Sequence, residues 1–129
     1  FSLVSRNLEK VTNITAEGIV TPTLEQTSLA TKKKNFEKLQ DALEILKQID
    51  IYKYNLKGEK DSTKKHIGFV IGDKYNYSKE VTSNKNDGVD LYSFVSVCCK
   101  AIQEHQEQIE QQNNLIQSLV ERIEKLEAR

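Results

Sequence analysis

Ser28 and Lys33 stand five residues apart, a pairing with the means to cut its own chain. A serine hydroxyl can attack the carbonyl carbon of the residue before it through a five-membered ring. The peptide C–N bond then breaks, the amine leaves with the proton taken from the hydroxyl, and water hydrolyses the resulting ester. Some base must remove that proton, and lysine can do so only as the neutral amine. Burial has to bring its pKa far below the solution value of about 10.4. The same spacing recurs at Ser5 and Lys10, and Ser2 is a further upstream nucleophile. Spacing alone does not separate such pairs from coincidence, so the surrounding sequence has to decide.

Other chemistries find little to work with. Gly68 and Gly72 stand four apart without the partners of a phosphate loop or a dinucleotide fingerprint. Two histidines, and two cysteines that are the neighbours Cys98 and Cys99, give neither a CxxC nor an HxxxH spacing. No metal site and no cofactor are expected, and adjacent cysteines cannot bridge without strain. Five tyrosines, four phenylalanines and no tryptophan are too few aromatic rings for a stacking platform. Nineteen basic residues balance nineteen acidic ones, so no overall field recruits nucleic acid or an anionic membrane. The run Lys32-Lys33-Lys34 reads as a solvated face. The longest apolar stretch, Leu91 to Cys99, is broken by serines and too short to span a bilayer, so a soluble protein is expected. Residue 1 is Phe and no signal-like leader precedes an apolar core, so the chain reads as a piece of something longer without a secretory route.

Three textures follow one another. Residues 1–27 are rich in Thr, Val, Ile and Asn, carry Pro22 and alternate briefly, as a β-rich stalk end or an N-terminal arm would. Residues 28–90 read as an α+β module. Phe36, Leu39, Ala42, Leu43, Leu46 and Ile49 recur at helical spacing and predict a helix from about Asn35 to Gln48. Two strands are expected next, at Ile49–Leu56 and His66–Ile71, joined as an antiparallel hairpin by the polar loop 57–65. Residues 72–88 form a second polar stretch that closes on the turn Asn86-Asp87-Gly88.

Residues 91–129 carry the strongest pattern. Ile102, Ile109, Ile116 and Ile123 follow at seven-residue intervals and take heptad position a; His105, Gln112, Leu119 and Leu126 take d. Val95 extends a backwards, and Leu91 and Cys98 extend d. Ile at a with Leu at d suits a dimer, but the polar d residues His105 and Gln112 fit better around a three-fold axis. The fold expected is therefore a helix-on-hairpin α+β module whose long C-terminal helix forms a parallel trimeric coiled coil.

From Ser28 onward the chain resembles the C-terminal intramolecular chaperone domain of phage tailspikes, tail fibres and neck appendages, of the endosialidase type. The resemblance runs through Ser28, Lys33, Asn35 and Phe36, then Asp41-Ala42-Leu43-Glu44-Ile45-Leu46-Lys47 and Tyr52-Lys53-Tyr54-Asn55. It continues in His66-Ile67-Gly68-Phe69, Gly88 to Tyr92 and Lys100 to Glu104. Leu29 departs from the residues usual at its place. The resemblance implies a homotrimer that aligns an upstream β stalk of the same polypeptide while it folds in the host bacterial cytoplasm. It also implies release by self-cleavage before Ser28, with Ser28 as nucleophile and Lys33 as base, Ser5 and Lys10 being the second choice. A permanent, uncleaved trimeric tip of a virion appendage, with host binding as a role open to it, is the alternative from another functional class.

Overall fold

The computed structural model describes residue 19 and residues 21–129, and the candidates Ser2, Ser5 and Lys10 lie outside these residues. The chain divides into two units, residues 1–32 and residues 33–129. In the first unit, the described part of the expected β-rich arm follows irregular backbone up to a 3-10 turn at Ala30–Lys32.

The second unit is built on two helices and a hairpin. Helix α1 covers only Ala42–Lys47, far shorter than the Asn35–Gln48 that the apolar spacing predicts. Asn35 and Asp41 both take left-handed backbone at φ 56°, which no α-helix contains. The reason lies in packing: a helix this short depends on burying a face. Ala42 is fully buried, and Leu43, Ile45, Leu46 and Ile49 are half-buried, whereas Phe36 is 71% exposed. The helical part of the predicted stripe, Ala42 to Leu46, packs on the core, whereas Phe36 and Leu39 are exposed in non-helical backbone. The Lys47–Glu44 pair is exposed at 3.1 Å and adds little.

Strands β1, Tyr52–Tyr54, and β2, His66–Gly68, pair antiparallel with Lys53 opposite Ile67. They are shorter than predicted because each sequence run is drawn off elsewhere at one end. Asp50 is tied to Asn76 by its own N–H to the Asn76 carbonyl at 3.1 Å, and its carboxylate accepts from Asn76 Nδ2 at 2.8 Å. Phe69 turns into the core against Phe94, ring centroids 5.5 Å apart. Gly58, at φ 95°, supplies a backbone conformation in the loop that residues with a side chain rarely adopt.

Glu59 and His66 close this loop. His66 Nε2 and Glu59 Oε1 lie 2.8 Å apart, and Asn55 Nδ2 reaches both Glu59 and the Thr63 carbonyl. Tyr54 stacks on the His66 ring. The hydrogen bond to His66 holds the Glu59 carboxyl below its ordinary pKa of 4.5. A depressed carboxylate stabilises the fold fully above its unfolded value and loses that contribution as pH falls through the folded one. Protection of the amides in residues 55–66, relative to their intrinsic exchange rates, is therefore expected to fall as pH drops through the carboxylate range, and Glu59→Gln to remove that pH dependence. An acid response unaltered in the variant would place its origin elsewhere.

Residues 72–88 are more than the polar stretch the sequence suggests. A 3-10 turn at Lys79–Val81, capped by Ser78 Oγ accepting from the Glu80 N–H, delivers Val81 into the core with no exposure at all. The predicted Asn86-Asp87-Gly88 turn forms: Asn86 sits at φ 56°, the Ser83 N–H donates to the Gly88 carbonyl at 2.8 Å, and Thr82 bridges Val89. Asp90 then caps helix α2, Leu91–Glu127. Its Oδ1 accepts from the Ser93 N–H at 3.0 Å, a bond that holds its carboxyl below the ordinary aspartate value.

The core comprises Ala42, Phe69, Val81, Val97 and Ala101. Two alanines, Ala42 of α1 and Ala101 of α2, are among its most buried members, at 0% and 3% exposure. Ala42→Leu is expected to cost about 1–3 kcal/mol through overpacking, read as a lower urea midpoint. An unchanged midpoint would show that the helices have room to spare.

Candidate functional site

Helix α2 has 37 residues and spans about 55 Å. It presents two different faces. Phe94, Val97, Ala101 and Glu104 fall at heptad positions g, c, g and c, and this face packs on the module. The a and d residues point away from it: Leu91 is 66% exposed, Val95 65% and Ile102 69%. Cys98, at d, is half-buried. From His105 to the end of the helix every residue is exposed, so Ile109, Ile116, Leu119, Ile123 and Leu126 form an apolar seam left 43–60% exposed.

Two residues widen that seam. Leu115 and Val120, at g and e of the same turns, are also exposed. Together with Ile116 and Leu119 they make a four-position apolar face over residues 115–120. The a/d count overlooks them, although their flanking positions make them readable from the sequence.

Glu104 is the other residue that the heptad reading passes over. Asp41, the residue preceding α1, makes no side-chain cap. Glu104 does this from α2 instead: Oε1 accepts from the Ala42 N–H at 2.8 Å and Oε2 from the Leu43 N–H at 3.3 Å. Two N–H groups of the kind a helix start leaves without an internal partner are thus satisfied by one carboxylate. The only sequence signal for it was membership of the Lys100 to Glu104 motif.

The residues proposed for cleavage lie ahead of these elements. Ser28 is exposed in irregular backbone of the first unit, immediately before Leu29 and the turn at Ala30–Lys32. Lys33 is exposed and opens the second unit. Asn35 and Phe36 follow it in the non-helical segment that leads to Asp41 and α1. Among the described residues no group of three His, Cys, Asp or Glu side chains is placed to hold a metal ion, and no helix is long and apolar enough to cross a membrane.

The segment from the turn at Ala30 through α1 and the hairpin also decides the family comparison. Residues 30–73 match the family described as the chaperone of endosialidase. The match supports the resemblance to the C-terminal intramolecular chaperone domain of phage tail proteins, and with it an intramolecular chaperone role. It takes in Lys33, Asn35, Phe36, α1, β1 and β2. It begins two residues after Ser28 and ends before the start of α2, so the nucleophile and the seam stand outside it. No curated protein and no solved structure matches the chain.

Proposed function

We propose that this chaperone of endosialidase domain associates through α2 into a parallel trimer, aligns an upstream β stalk during folding, and is released by cutting the chain before Ser28. The exposed seam of α2 is the observation that carries the reading. Fully burying a single Ile or Leu side chain stabilises by about 1.5–3 kcal/mol, and Ile109, Ile116, Leu119, Ile123 and Leu126 are all left in water by the single chain. Association is the way this helix buries them. The module's own core is small, which adds to the need for burial between chains.

A parallel arrangement follows from the task. Three upstream segments can be aligned only if their chaperone domains point the same way. Interwound β structure forms from non-local pairings, slowly and with risk of register slips, so a helical assembly made first raises the local concentration of the strands and sets their alignment. Three chains suit the seam better than two. His105 and Gln112 at d are awkward between two tightly packed helices, and the four-position face at Leu115, Ile116, Leu119 and Val120 is wider than a dimer needs.

Cleavage then proceeds as an acyl shift. Ser28 Oγ attacks the Thr27 carbonyl carbon, Lys33 Nζ takes the hydroxyl proton and returns it to the departing Ser28 amine, and water hydrolyses the ester to a Thr27 carboxylate and a restored hydroxyl. Both side chains are exposed in the single chain, so the burial that makes lysine a base comes from neighbouring chains. That couples cutting to assembly. Sedimentation equilibrium of the intact chain tests the first step: the mass of three chains is expected at micromolar concentration, and the mass of one would overturn the reading.

A further inference from the structure

We infer that Glu104 is a positioning residue that couples association of α2 to the order of the segment running from Lys33 into α1, an inference resting on the assembly just proposed. The geometry is specific. Glu104 is in the same turn of α2 as the seam residues Ile102 and His105, yet its carboxylate faces the other way, onto the N–H groups of Ala42 and Leu43 at 2.8 and 3.3 Å. Those N–H groups open α1 directly after Asp41, whose left-handed backbone ends the segment containing Lys33, Asn35 and Phe36.

Residues 33–41 carry no regular structure and are exposed throughout, and α1 has only six residues, too few to hold its own first turn without outside partners. Ala101 sits one turn before Glu104 on the same face and packs in the core with Ala42, so the carboxylate reaches the α1 terminus only where α2 is helical through residue 104. From residue 105 to the end of the helix every residue is exposed in the single chain. Association stiffens α2 from that side, and Glu104 carries the effect across the helix to α1.

Amide exchange at Ala42 and Leu43 in the full chain tests this, alongside sedimentation. Glu104→Ala is expected to keep the assembled mass while these two amides exchange about tenfold faster. Glu104→Gln, which keeps one carbonyl acceptor, is expected to restore part of the protection. Any cutting before Ser28 should slow in the same order, Glu104→Ala more than Glu104→Gln, with the assembled mass unchanged. Glu104→Ala that assembles with full protection at both amides would overturn the coupling alone. A wild-type chain that sediments as a monomer would overturn the assembly reading and the coupling with it.

Discussion

The double replacement Ile109→Asn and Ile116→Asn is expected to leave the chain monomeric at concentrations where the parent assembles. Each substitution removes an apolar side chain and places an amide between helices, and the loss recurs in every chain of the assembly. At about 2 kcal/mol or more per site, two sites in three chains weaken association by on the order of 10⁸-fold or more. Sedimentation reads this as a fall to the single-chain mass. Circular dichroism should lose helix, because residues 105–127 are exposed in the single chain and most helical stability in proteins comes from packing an apolar face. The core of the module should survive, since Val81, Val97 and Ala101 lie on the other side, while protection of the Ala42 and Leu43 N–H groups held by Glu104 should fall. An unaltered mass would mean that the seam does not hold the chains together. A lost mass with a stalk that still folds would mean that alignment is not its purpose.

What could be read from the sequence follows from how each residue earns its conformation. The heptads of α2 were legible because a long helix repeats one geometric rule, and the helix indeed runs from Leu91 to Glu127. The antiparallel hairpin and the Asn86-Asp87-Gly88 turn were legible for a similar reason, since local turn chemistry fixes them. The length of α1 was not. Phe36 and Leu39 have the spacing of a helical face, but spacing cannot say whether a surface exists to receive them, and here Asn35 and Asp41 adopt left-handed backbone instead. Val81 was missed because a lone valine between Glu80 and Thr82 has no periodic company, and only the fold shows that a 3-10 turn carries it inward.

The candidate site divides in the same manner. The isoleucine seam was visible as a pattern; the second face of α2 was not, because Phe94, Val97, Ala101 and Glu104 sit at g and c, positions that a two-residue seam assigns to water. Glu104 in particular looks like one more solvated acid until its partners, 61 and 62 residues earlier, are in view. A long-range cap of this kind has no local signature.

Ser28→Ala is expected to abolish cutting at the Thr27–Ser28 bond. Alanine has no hydroxyl to attack the preceding carbonyl, so the five-membered ring cannot form. Loss of a nucleophile typically slows such chemistry by on the order of 10⁴-fold or more. Intact-mass spectrometry after expression with a folding-competent upstream stalk would read the parent as two products and the variant as one. Lys33→Arg separates charge from basicity: arginine keeps the positive charge but stays protonated in proteins, so it cannot accept the hydroxyl proton. Its cutting should fall with that of Ser28→Ala if Lys33 is the base, while both variants keep the assembled mass, because neither residue belongs to the seam. Normal cutting in Lys33→Arg would assign the base elsewhere. If Ser28→Ala cuts normally and Ser5→Ala does not, the nucleophile lies upstream and Lys10 becomes the matching base. A parent chain that assembles, supports its stalk and remains whole in finished particles would leave a permanent trimeric tip as the function, with Ser28 and Lys33 as ordinary surface residues.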